Sequence, residues 1–346
     1  MKISFFDTKR YDREAFDAAN KQFGYEITYL ETKLNSCSAE MAKGADAICI
    51  FVNDRVDADV VRILEQHNIK LIVLRCAGYN NIDLQAAWKK IHVARVSAYS
   101  PNAIAEHAVS LLLTLTRHIH HAYNRVREGN FVLTGLVGRN LHEKTAGIIG
   151  TGKIGKITAE ILKGFGMNIV AFDKFPDAAW AEKTGVAYMD IEKVCTKSDV
   201  ISLHSPLTRE TYHLINEDLL SLMKHDVCII NTGRGALIDT KALVSALKKR
   251  HIGGAALDVY EEEEDYFFED WSGTAIEDDT LARLLTFPNV IITGHQAFLT
   301  HEALSAIAQT TLSNISGYVE HNILPNEICY NCEKGICMKK TMNRCW

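Results

Sequence analysis

Short runs of β-branched and apolar residues alternate with longer segments of helical periodicity along the whole chain. In the first hundred positions the apolar runs fall at residues 2–7, 26–30, 47–52, 71–76 and 93–99. A second series falls at 145–152, 168–173, 200–205, 226–232, 252–258 and 290–295. Runs this short and this uniformly apolar predict strands buried on both faces, with the helical segments between them covering parallel sheets. The pattern therefore predicts an α/β fold with two parallel-sheet domains, Rossmann-like and flavodoxin-like in kind.

One long helix separates the two series. Ser100 can cap it and Pro101 suits its first turn. Ile104, Ala108, Leu111, Leu112, Leu115 and Ile119 recur at helical spacing and make one apolar stripe. Such a stripe either packs on its own sheet or serves an interface between subunits.

Composition narrows the function classes. Hydrophobic residues make up 47% of the 346 positions and charged residues 23%, a globular balance. The 38 basic and 43 acidic residues leave a net charge of −5 without a long basic run, so nucleic acid is not an expected partner. The longest apolar run, residues 108–116, falls short of the ~18 residues of a membrane span. An aspartate at position 7 comes too early for a secretory leader. A soluble, cytoplasmic chain is expected, with no membrane partner.

The residues 150–155, Gly-Thr-Gly-Lys-Ile-Gly, follow a predicted strand and open a predicted helix. Gly150 permits a tight turn, Gly152 lets backbone approach a pyrophosphate, and Gly155 allows close helix–strand packing. The helix start offers unpaired N–H groups to the phosphates. The next strand ends at Asp173, where a carboxylate can accept hydrogen bonds from an adenosine ribose and repel a 2′-phosphate. That choice favours NAD over NADP, and Lys174 beside it is the one dissenting residue.

Three later apolar segments end in unusual polar residues: Arg234, then Asp258 with Glu263, then His295. Ligands of open parallel sheets bind at the carboxyl ends of strands. Each residue alone has a structural explanation. Together with a nicotinamide site they form a chemical set, in which histidine can give a proton to a carbonyl oxygen and a neighbouring carboxylate can fix its ring. An arginine fork can clamp a substrate carboxylate.

At this point the chain resembles the D-isomer-specific 2-hydroxyacid dehydrogenases, over about residues 1–328. The motifs that carry the likeness are RCAGYNNID (75–83), YSPNAIAEH (99–107), GTGKIG (150–155), LHSPLT (203–208), NTGRGALID (231–239), DVYEEE (258–263) and GHQAFLT (294–300). The likeness is greatest to the branch that reduces pyruvate to D-lactate in bacterial fermentation. It implies His295 as acid/base, Glu263 as its partner and Arg234 as carboxylate anchor. It implies substrate contacts from the amides of Ala77 and Gly78 and from Tyr99, and NAD contacts from Gly152, Lys153, Ile154, Asp173, Pro206, Thr232 and Asp258. The family fold implies a discontinuous substrate domain (1–99 with 299–330), an NAD domain (100–298) and an active-site cleft between them. It also makes the helix from Pro101 a dimer element, so a homodimer or a tetramer is expected.

Two positions depart from family patterns: Gly294 stands where many members have proline, and Phe298 where some have tyrosine. Phe51, Val52, Tyr99 and Phe298 would line a small apolar pocket suited to pyruvate. A bulkier 2-oxo acid, or a regulatory protein that only binds NAD(H), are the other readings. Four of the nine cysteines, Cys329, Cys332, Cys337 and Cys345, crowd the last eighteen residues beyond the likeness. Their spacing matches neither a zinc ribbon nor a ferredoxin run. Residues 331–346 are expected to form a flexible tail of reduced thiols with no metal, ahead of a redox pair or a metal site.

Overall fold

The computed structural model describes residues 1–332, 337, 339 and 344–346. The chain divides into two compact units, residues 1–100 with 299–346 and residues 101–298. In chain order the first strands are β1 (Lys2–Phe5), β2 (Glu26–Tyr29), β3 (Ala47–Ile50), β4 (Leu71–Leu74) and β5 (His92–Ala94). Then come β6 (Thr145–Ile149), β7 (Asn168–Phe172), β8 (Ala187–Tyr188), β9 (Val200–Leu203) and β10 (Cys228–Asn231). The last are β11 (Gly254–Leu257), β12 (Val290–Ile292) and β13 (Glu327–Ile328).

The first unit carries the sheet β13-β5-β4-β3-β1-β2, parallel except for β13, which runs antiparallel to β5. The second carries the sheet β12-β11-β10-β9-β6-β7-β8, parallel throughout. Central strands β3, β4, β9, β10 and β11 are buried at every residue, as uniformly apolar runs require, whereas edge strand β2 alternates between exposed and half-buried. Both sheets are of the kind the hydrophobic pattern predicts.

Local differences from the pattern have physical causes. The run at 93–99 forms a strand only as far as Ala94, because the Arg95 amide turns to Asn326 O (3.1 Å) and the Val96 amide to Cys76 O (3.1 Å). The apolar stripe of helix Pro101–Thr116 belongs to its own unit: Ala108, Leu111, Leu112 and Leu115 pack in one core with Ile148, Ala159 and Leu162. The helix breaks at His118, in the left-handed region at φ 53°, so Ile119 starts a new helix and stays exposed.

Of the tail 331–346, residues 333–336, 338 and 340–343 lie outside the described residues. The others pack on the first unit. Cys345 is fully buried and the Trp346 ring stacks on His92 with centroids 3.9 Å apart. For these residues the expectation of a flexible tail gives way to a packed one.

Candidate active site

The second sheet reverses its strand order between β6 and β9, and the glycine loop leaves β6 at that point. Gly150 sits at φ +94°, and a Cβ there would lie 2.6 Å from the Ser205 amide nitrogen. A Cβ on Gly155 would lie 2.0 Å from Gly150 O, so the turn and helix Lys153–Gly164 can press together only without side chains. Gly152 differs: nothing lies within 4 Å of its Cβ position. The loop therefore presents open backbone and the first amides of the helix, those of Lys153 and Ile154 among them, to a ligand.

Asp173 follows β7 and reaches back to this loop. Its Oδ2 accepts from the Thr151 amide (2.6 Å) and hydroxyl (3.0 Å), and its Oδ1 from the Phe175 amide (2.8 Å). Lys174 pairs with Glu210 at 2.5 Å, an exposed ion pair. On the neighbouring loops, Pro206 O accepts from the Thr211 hydroxyl at 2.6 Å. Desolvation pushes the imidazole of His204 down to about 4, so it is neutral, and its Nε2 meets the Ser202 hydroxyl at 2.8 Å. The Thr232 hydroxyl oxygen is buried with no hydrogen-bond partner among the described residues. A buried orphan hydroxyl, an open glycine and a helix start on one sheet fit a bound dinucleotide.

The reactive candidates follow the next three strands. Arg234 lies just past β10, on a loop stapled by Asn231: its Nδ2 donates to Arg234 O (2.9 Å) and its Oδ1 accepts from the Gly233 amide (3.0 Å). A Cβ on the next residue, Gly235, would lie 2.0 Å from the Tyr260 carbonyl carbon. This close approach sets the Arg234 loop against the segment that carries Glu263. Arg234 Nη1 donates to Gly233 O at 2.8 Å.

Four consecutive glutamates, 261–264, follow β11, and the structure separates two of them. Glu261 meets His213 Nε2 at 2.5 Å and the Thr240 hydroxyl at 2.9 Å. Glu263 Oε2 accepts from the Tyr260 amide (2.9 Å), and its Oε1 lies 2.8 Å from His295 Nδ1. The carboxylate accepts the Nδ1 proton, which leaves Nε2 as the nitrogen for chemistry. His295 sits three residues past β12 at φ 53°, with its amide donating to Asp258 O at 2.8 Å.

Asp258 has a role the sequence reading did not give it. Its side chain is fully buried, and its oxygens accept from the Thr293 hydroxyl (2.5 Å), the Gln296 amide (2.9 Å) and the Ala297 amide (2.8 Å). His107 Nε2 lies 3.2 Å away. Burial alone would push this carboxyl up, but the bonds from His107, Thr293 and the two amides outweigh it and hold it below the ordinary range. Asp258 thereby fastens both sides of the His295 loop to β11. His107 and Thr293 were missed. For His107 the available signal was a polar side chain bordering the apolar stripe of its helix, three residues after Ile104 and four before Leu111.

Phe298 is buried at the end of this loop. In the first unit, Arg95 Nη1 donates to Ala77 O (2.6 Å) and the Cys76 thiol to Gly78 O (3.3 Å), which shapes the turn after β4. Tyr99 is half-buried. Phe51 is buried with its ring 4.6 Å from the Arg75 guanidinium.

Comparison with known proteins agrees with this geometry. Residues 109–297 match the family model "D-isomer specific 2-hydroxyacid dehydrogenase, NAD binding domain". The chain is 50% identical over 329 residues to the D-lactate dehydrogenase of Escherichia coli, covering 95% of this chain and 100% of that one. It is similar to the apo-structure of that E. coli enzyme (TM-score 0.88, 48% identity, 95% and 100% covered). It is also similar to a structure of the pyruvate reductase of Chlamydomonas reinhardtii (TM-score 0.90, 40% identity, 94% and 98% covered). The chain belongs to the D-isomer-specific 2-hydroxyacid dehydrogenases, a family of NAD-dependent oxidoreductases.

Proposed function

We propose that this chain reduces pyruvate to D-lactate, with His295 as acid/base, Glu263 as its partner and Arg234 as the clamp on the substrate carboxylate. The observation that carries the reading is the 2.8 Å contact of His295 Nδ1 with Glu263, on the same sheet as a glycine loop that fits a dinucleotide. NADH held by these residues would supply the hydride that the carbonyl carbon needs. His295 Nε2 gives its proton to the carbonyl oxygen while Nδ1 keeps its hydrogen on Glu263. The Arg234 fork holds the carboxylate and draws charge from the adjacent oxygen. Gly150, Gly152, Lys153, Ile154 and Gly155 would hold the pyrophosphate and Asp173 the ribose, with Pro206, Thr232 and Asp258 as further NAD contacts. Asp258 also holds the His295 loop. The amides of Ala77 and Gly78, with Tyr99 and Phe298, would bind the substrate as the family resemblance implies.

The enzyme works in the cytoplasm as an assembly of identical copies. Ile119, Tyr123, Val126, Phe131, Val132, Leu133 and Val137 are all exposed in one stretch of chain, and this supports an interface there rather than on helix Pro101–Thr116. The test of the activity follows NADH absorbance with pyruvate and assays the product with D- and L-specific enzymes. Fast oxidation that yields D-lactate is expected. Turnover only with bulkier 2-oxo acids would move the substrate. NADH binding without turnover of any 2-oxo acid would replace the reading with a regulatory one.

A further inference from the structure

The cysteines at the C-terminus converge. Sγ of Cys332 lies 3.7 Å from each of the sulfurs of Cys329, Cys337 and Cys345, and Cys337 lies 3.3 Å from Cys345. All four sulfurs lie within 4.8 Å of one another. These spacings are too long for disulfides, whose sulfurs sit about 2.05 Å apart. They suit one ion: zinc–sulfur bonds of about 2.3 Å in a tetrahedron put sulfurs about 3.8 Å apart. A multi-iron cluster interposes several metal and sulfide atoms between its thiolates, and sulfurs this close leave no room for it.

The groups that hold the cysteines are in place without the ion. Cys329 directly follows β13, its amide donates to Cys332 Sγ at 3.2 Å, and the Cys332 amide returns a bond to Cys329 O at 3.0 Å. The Cys345 amide donates to the carboxylate of Glu327, which is itself fully buried on β13. The other oxygen of that carboxylate lies 2.6 Å from His92 Nδ1 on β5. Arg344 Nη2 approaches His92 Nε2 at 3.4 Å and donates to Trp346 O at 3.1 Å, so the imidazole accepts at Nε2 and donates from Nδ1. Lys339 Nζ donates to Glu327 O at 2.7 Å. Four thiolates around a divalent cation leave net negative charge, and among the described residues Lys339 and Arg344 are cations of this segment.

We propose that Cys329, Cys332, Cys337 and Cys345 bind one zinc ion as a tetrahedral four-thiolate site that clasps the C-terminus to the β5 edge of the first sheet. Soft thiolates in tetrahedral array select zinc, and four protein ligands leave no open position, so the site is structural. None of these cysteines takes part in the chemistry proposed above.

The chain, purified under reducing conditions without chelator, is analysed for metals by mass spectrometry. One zinc ion per chain is expected. Cobalt exchanged for it gives the intense charge-transfer and ligand-field bands of tetrahedral thiolate cobalt. Cys332 and Cys337 are both half-buried, so the C332S/C337S double variant should fold. Its zinc should fall below about a tenth of an equivalent, with a lower Tm. The exposed Cys37, replaced by serine, keeps both zinc and Tm. A metal-free chain whose four thiols alkylate freely, a chain with disulfides among them, or stoichiometric iron in place of zinc would overturn the proposal.

Discussion

At the strand-order reversal of the second sheet, between β6 and β9, the chain leaves backbone open; at the reversal of the first, between β1 and β3, it fills the space with side chains. The first filling is ionic. Arg75, after β4, is 1% exposed and donates to Phe6 O (3.1 Å) and Asp7 O (2.7 Å). Its Nε lies 3.3 Å from Asp12, and its guanidinium lies 4.6 Å from both the Phe5 and the Phe51 rings. Asp54, also buried, accepts the amides of Leu34 and Phe51. Burial pushes its carboxyl up to about 6, although Arg75 and the two amides pull the other way. Both sheets offer the same topological crevice, and the one lined by glycine and the Thr232 hydroxyl stays open for the dinucleotide. Topology supplies the opportunity and the loop residues decide its use.

Three substitutions test that contrast. His295→Ala should lower turnover by about 10²–10⁴ while NADH affinity holds, because it removes a proton donor and no dinucleotide contact. Stopped-flow turnover beside fluorescence titration checks it, and an unchanged rate would take His295 out of the mechanism. Arg75→Met leaves buried carboxylates without their cation and should cost about 3–5 kcal/mol of stability in denaturant unfolding. A loss of under about 1 kcal/mol would mean that the first sheet's crevice does not depend on its ion cluster. Gly152→Ala is the mildest. Its Cβ meets no protein atom, so Tm should stay, while NADH should bind about tenfold more weakly, about 1.4 kcal/mol. Unaltered affinity would move the pyrophosphate off this loop.

The sequence was most legible where local periodicity and local chemistry coincide. Apolar runs mark the central strands because those strands are buried on both faces, and the glycine loop is readable because three glycines do three local jobs. Legibility fails where the deciding contact is long-range or the element is tiny. β8 and β13 are two residues each, too short to carry a period. Glu263 cannot be chosen from four adjacent glutamates by spacing. The choice is made by the turn that follows β11, where the Tyr260 amide seizes one oxygen and His295 the other. The loop-holding contacts of Asp258 were not legible because its partners Thr293, Gln296 and Ala297 lie 35 to 39 residues away. The tail was hardest: its cysteine spacing is irregular, and what holds its described residue Cys345 is a carboxylate on β13 paired with a histidine 235 residues earlier.

β13 has a consequence for solubility. It covers the outer edge of β5, whose three residues are all buried, and its direction opposes every other strand of that sheet. Without it the backbone groups of β5 that face away from β4 would stand unpaired, an apolar template for strands of other chains. The damage from losing the last residues would then be seen first as aggregated protein during expression, before any change in the kinetics of the molecules that remain in solution.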